Sequence, residues 1–218
     1  MRNHDTQDAT MATIAFIGSG NIGQAIAQRA IAVGHSVVMS NSRGPKTLAR
    51  LVGALGPRAR AATATAAAGG ADIVVVAIPF SSFEHVPVEA LAGKIVIDTS
   101  NYYAPRDGHI AELDDGTTTS SEMLASHLTT SKVVKAFNTI IAAQIVEQAT
   151  PAGTPHRRAL PIAGDDASAK RVVTNFIDGI GFDVVDAGPL AEGRRFDPMA
   201  AWGPILDVEG LRRSLALG

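Results

Sequence analysis

The chain has 218 residues, of which 46% are hydrophobic and 18% are charged, and its formal net charge at pH 7 is −2. This composition supplies enough apolar side chains for a sizeable core, which excludes a globally disordered chain, and the small net charge gives no electrostatic reason to expect nucleic acid or an anionic membrane as a partner. The sequence has no cysteine, which excludes disulfides, thiolate catalysis and cysteine-held metal and fits a cytoplasmic protein.

The first segment of the chain is polar. Residues 1–12 predict a disordered tail, because the first ten lack the apolar core of a signal peptide, and Met11 is a second candidate for the natural start. The longest strongly apolar run, residues 73–80, is too short to cross a bilayer. We therefore expect no membrane partner.

An apolar strand at residues 14–17 is followed by a glycine-rich turn and an alanine-rich helix. The turn matches the dinucleotide-binding pattern G-x-G-x-x-G, with residues Gly18, Ser19, Gly20, Asn21, Ile22 and Gly23. In this pattern Gly18 permits the tight turn, Gly20 lets the backbone approach a pyrophosphate, and Gly23 lets the helix pack close to the strand. The helix N-terminus adds free N–H groups and a partial positive charge, so this stretch predicts a dinucleotide site.

The second strand, residues 36–40, leads into a segment without acidic residues. NAD-binding sites usually have an Asp or Glu about 20 residues after the glycines, which binds the ribose 2′-hydroxyl. Here Ser42, Arg43 and Lys46 occupy that region instead. Taken alone they would be interpreted as the solvated basic start of a helix, but after the glycine pattern they favour a 2′-phosphate, and hence NADP(H) over NAD.

The rest of the chain alternates between strand and helix patterns. The predicted strands are residues 58–62, 72–78, 94–98, 132–137, 159–163 and 182–186, and the predicted helices are residues 45–55, 63–71, 81–91 with a break at Pro87, 120–128, 139–148 and 167–180. Residues 99–118, rich in Gly and Pro, predict a long loop with little internal structure, and the C-terminal segment predicts helix with a break at residues 203–204.

This alternation predicts an α/β fold, a Rossmann-type doubly wound and mostly parallel sheet. We expect an NADP-binding Rossmann domain over residues 13–150 and a small C-terminal α/β extension over residues 151–218 that completes the sheet. Ligands of open α/β sheets bind at the carboxyl ends of the strands, so three strand ends supply candidates for the nicotinamide end of the site. These candidates are Ala77, Ile78, Pro79, Ser100, Asn101, Asn138 and Thr139.

The apolar members of this set, Ile78 and Pro79, could support a flat ring, and the polar members could hydrogen-bond an amide or a second ligand. For each residue alone, turn or cap chemistry is the commoner role, and their convergence on one sheet edge favours a site. The sequence contains no G-x-S-x-G and no H-E-x-x-H, and helix capping accounts for the acidic pair at 165–166. Packing of the C-terminal segment accounts for Phe196 and Trp202. We expect no catalytic acid, nucleophile or metal, and positioning by Ile78, Pro79, Asn138 and Thr139.

Six segments together resemble one family. GSGNIG, NSRGPK, VVVAIP, IDTSNYY, VVKAFNTI and DAGPL are similar to the coenzyme F(420)-dependent NADP oxidoreductases and to their relatives, the cytoplasmic domains of six-helix membrane ferric reductases. The likeness covers nearly the whole chain from Thr13. It implies that residues 18–23 bind the pyrophosphate, that Ser42 and Arg43 bind the 2′-phosphate, and that Ile78 and Pro79 flank the nicotinamide. It also implies a homodimer in which the C-terminal segment helps to form a second-ligand site.

The chain departs from the archaeal deazaflavin enzymes at Asn138-Thr139-Ile140, where they have His-Thr-Ile and the histidine lies beside the deazaflavin. The asparagine, with TSNYY, is closer to the ferric reductase domains, which use a flavin. The expected reaction is therefore hydride transfer between NADP(H) and deazaflavin coenzyme F(420) or FMN/FAD, with an acceptor that is soluble because the transmembrane helices are missing. A reductase of a carbonyl, imine, quinone or ferric chelate, and a non-catalytic NADP(H) sensor, stay open as alternatives.

Overall fold

A computed structural model describes residues 11–197 and 205–217. The strands are β1 (Thr13–Ile17), β2 (Ser36–Ser40), β3 (Ala59–Ala61), β4 (Ile73–Val76), β5 (Ile95–Asp98), β6 (Lys132–Lys135), β7 (Ala159–Gly164) and β8 (Asp183–Asp186). They form one sheet in the order β3-β2-β1-β4-β5-β6-β7-β8. Within it β7 runs antiparallel to β6, and the other neighbouring pairs are parallel.

Helices connect the strands. The α-helices are α1 (Asn21–Ala32), α2 (Ala49–Leu55), α3 (Ala64–Gly69), α4 (Val88–Leu91), α5 (Ala104–Asp107), α6 (Ala111–Asp114), α7 (Ser120–His127), α8 (Ala142–Glu147), α9 (Ala167–Ile180) and α10 (Val208–Ser214). Short 3-10 helices occupy Pro45–Leu48, Phe80–His85 and Leu190–Phe196. The Rossmann-type, mostly parallel α/β fold is confirmed, with the switch point at β1, which lies between β2 and β4.

The sheet is covered on both faces by apolar side chains, as is usual for parallel strands. One core cluster joins β1 residues such as Phe16 to Phe137 and to Phe176 of α9, and a second lies on the opposite face around Val74, Val96 and Leu124. The strand ends therefore belong to a sheet that is well packed on both faces. In the described part of the chain, no helix is long and apolar enough to cross a membrane.

The predicted long loop over residues 99–118 is wrong in one respect, because it contains α5 and α6. Side-chain hydrogen bonds hold this segment together: the Tyr102 hydroxyl donates to Asp114 Oδ1 at 2.7 Å and accepts from the Ile110 N–H at 3.0 Å. Such contacts follow no hydrophobic period and are therefore not visible as a pattern in the sequence.

One helix start also differs from expectation. The helix expected from residue 139 begins at Ala142, since Asn138 and Thr139 are held in the buried turn after β6. The N-cap of α7 is Thr119, whose side chain forms a capping box with Glu122. The predicted cap of α9 is confirmed for Asp166, which accepts from the Ala169 N–H at 2.8 Å. Asp165 has a different role, because its Oδ1 accepts from the Leu190 N–H at 2.8 Å. Residues 1–10, Trp202 and residues 203–204 lie outside the described residues.

Candidate active site

The glycine turn after β1 needs two of its glycines for steric reasons. Gly18 has φ +109°, and a Cβ built on it would lie 2.2 Å from the carbonyl oxygen of Ala77. A Cβ on Gly23 would lie 2.8 Å from the Gly18 carbonyl oxygen, so a side chain there would push α1 away from the turn. Both positions match the roles that the G-x-G-x-x-G pattern gives them.

Gly20, by contrast, faces open space. It is the N-cap residue of α1 with φ −73°, an ordinary conformation, and a Cβ built on it has no atom within 4 Å. No side chain caps α1, and its first turn contains no acidic residue. Ser19 and Ile22 are half-buried, and Asn21 is exposed. The turn therefore presents bare backbone N–H groups and the positive end of a helix dipole toward that space.

The turn after β2 is organised by residues that the sequence analysis did not select. Asn41 Oδ1 accepts from the Arg43 N–H at 3.1 Å, and its Nδ2 donates to Thr47 Oγ1 at 3.0 Å. This arrangement leaves the side chains of Ser42, Arg43 and Lys46 exposed. Within residues 11–197 and 205–217, neither cation takes part in an ion pair or a side-chain hydrogen bond. Two cations without carboxylate partners are a suitable receptor for a phosphate.

The end of β4 forms an apolar wall against the glycine turn. The Ala77 N–H donates to the Ile17 carbonyl at 2.8 Å, and a Cβ on Gly18 would lie 2.9 Å from Ile78 Cγ2. Ala77 and Ile78 are half-buried, and Pro79 is exposed at the start of the 3-10 helix Phe80–His85. The structure thus brings the predicted pyrophosphate turn and the predicted ring-supporting residues together.

Asn101 and Asn138 join the ends of β5 and β6. Asn101 Nδ2 donates to the Asn138 carbonyl at 2.8 Å, and Asn138 Nδ2 donates to Asn101 Oδ1 at 3.1 Å. Asn138 Nδ2 also donates to the carbonyl of Phe196 at 2.9 Å. A carbonyl can only accept, so this contact fixes which end of the amide faces Phe196 and leaves Oδ1 on the other side.

Two buried polar atoms at these strand ends have no hydrogen-bond partner among the described residues, Asn138 Oδ1 and Ser100 Oγ. Their residues are only 4% and 7% exposed. Thr139 is also buried, but its carbonyl accepts from Arg158 Nη2 at 3.2 Å, which is a structural contact. A buried polar atom without a partner is uncommon in a folded protein, so both atoms call for a ligand group or water.

The backbone before Asn138 is strained. Phe137 has φ +63°, in the left-handed region that non-glycine residues rarely adopt, and its ring is fully buried in the core. Such a conformation persists only where the surrounding packing enforces it, and it occurs preferentially at functional sites. Here it sets the direction in which Asn138 leaves the sheet.

A buried charged cluster beneath these residues was missed in the sequence analysis. Asp98 and Lys135, the last residues of β5 and β6, face each other in register, and neither is exposed. Asp98 Oδ2 accepts from Ser121 Oγ at 2.6 Å, and Lys135 Nζ lies 2.8 Å from Asp197 Oδ1. The available signal was a charged residue ending each of two apolar strands, IVID and KVVK.

The segment 99–118 is tied to the end of β4 through Asp107. Its carboxylate accepts from the N–H groups of Tyr103 at 2.9 Å and Ser81 at 3.3 Å and from the side chain of Arg106. Burial acts to raise the pKa of Asp107, but these hydrogen bonds outweigh it and lower the pKa to about 2. The carboxylate is therefore charged at neutral pH and holds the segment beside the site.

Part of the chain matches a known family of proteins. Residues 13–102 match the family model "NADP oxidoreductase coenzyme F(420)-dependent". The rat (Rattus norvegicus) metalloreductase STEAP3 is 33% identical over 187 residues, which are 84% of this chain but only 35% of that protein. The present chain thus spans about a third of the length of this relative.

Two solved structures resemble the whole fold. The protein SMa0349 of Sinorhizobium meliloti has a TM-score of 0.74 and 33% identity, and the alignment covers 91% of this chain and 94% of that one. A structure from Arthrobacter sp. FB24, named as a putative F(420)-dependent NADP reductase, has a TM-score of 0.71 and 29% identity, and the alignment covers 83% of this chain and 86% of that one. Residues 13–102 therefore form a domain of the coenzyme F(420)-dependent NADP oxidoreductase family.

Proposed function

We propose that this protein is an NADP(H)-dependent oxidoreductase that transfers a hydride between NADP(H) and a deazaflavin or flavin-like acceptor. The observation that carries the proposal is the open approach to Gly20 after β1. On one side of β1, strand β2 leads to two cations that are unpaired among the described residues, and on the other side β4 leads to the apolar residues Ile78 and Pro79. Family membership supports the oxidoreductase class.

The phosphate end is assigned to two turns. The pyrophosphate is placed against the N–H groups of residues 18–23, where Gly20 offers no steric barrier. The 2′-phosphate is placed at Ser42, Arg43 and Lys46, because a hydroxyl and two cations supply donors and charge, and residues 37–46 contain no carboxylate to repel it. These residues fit NADP(H) better than NAD.

The nicotinamide end is assigned to the unpartnered atoms at the β5 and β6 ends. Asn138 Oδ1 can only accept, and Ser100 Oγ can donate or accept, so together they are complementary to the N–H and C=O of a primary carboxamide. A buried polar atom left without a partner costs about 1–3 kcal/mol, so filling both positions favours binding. Ile78 and Pro79 would then support one face of the ring.

When bound, NADPH supplies a hydride, that is two electrons and one proton, which reduces the acceptor and leaves NADP⁺, while any further proton comes from solvent. The protein's contribution is to orient the two rings and to exclude water between them. No nucleophile or general acid is required of this chain. The homodimer, with the C-terminal segment beside the acceptor, belongs to the proposal and is testable by sedimentation equilibrium.

The experiment is an anaerobic panel that follows NADPH oxidation with deazaflavin, FMN, FAD, a quinone, ferric chelate plus flavin, and small carbonyl and imine substrates. We expect turnover with deazaflavin or a flavin. With C4-deuterated NADPH, the label should appear on C5 of the reduced deazaflavin, which demonstrates direct transfer. Turnover restricted to carbonyls or imines would replace the proposal with that reductase activity, and NADPH binding without turnover on any acceptor would indicate a sensor.

A further inference from the structure

Lys135 is a fully buried lysine that the proposed hydride transfer does not use. Its ammonium lies 3.3 Å from the Ser100 carbonyl, 3.3 Å from Ser120 Oγ, 3.2 Å from Ser121 Oγ and 2.8 Å from Asp197 Oδ1. Burying an ion pair seldom adds net stability compared with apolar residues of similar size. Lys135 is therefore better explained by what it holds in place than by stability.

What it holds is the segment Leu190–Phe196 with Asp197. A Cβ on Gly193 would lie 2.8 Å from Lys135 Cδ, so this 3-10 helix rests directly on the stem of the lysine. Asp197 lies between the ammonium and solvent, because the side chain of Asp197 is 21% exposed and that of Lys135 is fully buried. The segment is thus fixed to the end of β6 by packing against the stem and by an ion pair at the tip.

The same segment orients Asn138. The Phe196 carbonyl, which immediately precedes Asp197, accepts from Asn138 Nδ2 at 2.9 Å. This contact and the one from Asn138 Nδ2 to Asn101 Oδ1 together leave Asn138 Oδ1 without a partner among the residues described. Without the Phe196 carbonyl, the orientation of the Asn138 amide would depend on the single contact to Asn101 Oδ1, and the amide would be held less firmly.

We propose that the Lys135–Asp197 ion pair is a latch that seats residues 190–197 on the strand ends and thereby orients the Asn138 amide toward the nicotinamide. Lys135 and Asp197 are then positioning residues for hydride transfer, and this role rests on the proposed function. The phosphate end lies at other strand ends, β1 and β2, so the latch affects ring geometry and leaves recognition of the 2′-phosphate unchanged.

The test compares Asp197→Asn, the double variant Lys135→Met/Asp197→Asn and the control Lys132→Met. Lys132 lies on the same strand, but its ion pair to Asp166 at 3.0 Å is on the surface. The double variant leaves Asp98 hydrogen-bonded to Ser121 and Ser100.

The expected result is a slower hydride transfer in both variants that carry Asp197→Asn. In single-turnover experiments with saturating NADPH, we expect their rate of hydride transfer to fall about 10- to 100-fold, as for misoriented reactants. The ratio of NADPH to NADH affinity should not change, and the control should stay within about twofold.

A second readout does not depend on any acceptor. Loss of the latch should speed amide deuterium exchange in residues 190–197 at least tenfold and accelerate tryptic cleavage after the exposed Arg194 and Arg195. Exchange at the wild-type rate in both Asp197 variants would overturn the latch, and faster exchange with an unchanged transfer rate would overturn its positioning role. If none of the acceptors supports oxidation of NADPH by the wild type, the proposed function fails. The exchange measurement still decides whether the latch exists.

Discussion

Gly18 and Gly20 are two residues apart, yet the structure gives them opposite roles. Gly18 has a positive φ and is in contact with Ala77 and Ile78, whereas Gly20 has an ordinary backbone conformation and an empty environment. The first glycine is therefore required by the fold, whereas the fold places no steric demand on the second. A sequence pattern treats them alike, and only geometry separates them.

This difference gives the first prediction. Gly18→Ala should destabilise the protein by at least about 3 kcal/mol, because the added methyl group meets a backbone carbonyl and φ is unfavourable. Gly20→Ala should lower the free energy of unfolding by at most about 1 kcal/mol, because Ala is a poorer N-cap residue than Gly. It should weaken NADPH binding about tenfold or more, since the methyl group enters the space assigned to the pyrophosphate. Urea unfolding and NADPH fluorescence titration measure the two effects. A stable Gly20→Ala protein with wild-type affinity would remove the pyrophosphate from this turn.

Arg43 carries the second prediction. Arg43→Ala should weaken NADPH binding by about 1.5–3 kcal/mol, or roughly 10- to 150-fold, because charge-assisted hydrogen bonds to a phosphate are lost. NADH lacks that phosphate, so its affinity should change little. Titration of both nucleotides decides the matter, with Arg171→Ala on the exposed face of α9 as the control. An equal loss for both nucleotides would show that Arg43 does not bind the 2′-phosphate.

The segment 99–118 shows how a structural element can depend on one carboxylate. Asp107 accepts from two backbone N–H groups and from Arg106, and its pKa of about 2 is below the ordinary value of 3.8. A group whose pKa is lower in the folded state stabilises the protein above its unfolded pKa. That contribution disappears as the pH falls through the folded pKa.

We therefore expect Asp107→Asn to be less stable than the wild type at pH 7 by about 1 kcal/mol, a value reduced for the solvent screening of Arg106. The difference should shrink as the pH falls from about 4 toward 2, because the wild-type carboxylate becomes protonated. Urea unfolding at pH 7, 5 and 3 measures it, and Glu112→Gln, in the same segment, is the control. If the difference in the free energy of unfolding between Asp107→Asn and the wild type does not change with pH, the effect comes from the altered shape of the side chain and not from the loss of its charge.

The elements that the sequence predicted correctly are those specified by local signals. Apolar strands, the Asp166 cap of α9 and the break at Pro87 each depend on residues within a few positions of one another. The helices α5 and α6 were not predicted, because the side-chain hydrogen bonds that hold them follow no periodic pattern. The pairing of Asp98 with Lys135 was not predicted, because it depends on sheet register. The residues of the nicotinamide end were selected at the sequence level, but the orphaned Asn138 Oδ1 was not, since it results from the Phe196 contact.

At the scale of the whole molecule, the C-terminal extension shares its core with the Rossmann half. Phe176 of α9 contacts Phe137 edge-to-face with ring centroids 6.4 Å apart, and Arg29 of α1 donates to the Ile180 carbonyl at 3.1 Å. The antiparallel pairing of β6 with β7 continues the sheet across the expected boundary at residue 150. That boundary stays a prediction, but the shared core implies that the two parts unfold together.

The last prediction follows from this continuity. Thermal unfolding of the full chain should be a single calorimetric transition, because separating residues 151–217 from the sheet would expose the apolar faces of both parts. NADP⁺ at about 100 times its Kd should raise the free energy of unfolding by about 2.7 kcal/mol and Tm by about 5–11 °C. NAD⁺ at the same concentration should raise Tm much less, since it lacks the phosphate assigned to Arg43. Two transitions, with only the first shifted by NADP⁺, would mean instead that the nucleotide site is built by residues 13–150 alone. The extension, which supplies Asp197 to the latch, would then contribute only to the acceptor side.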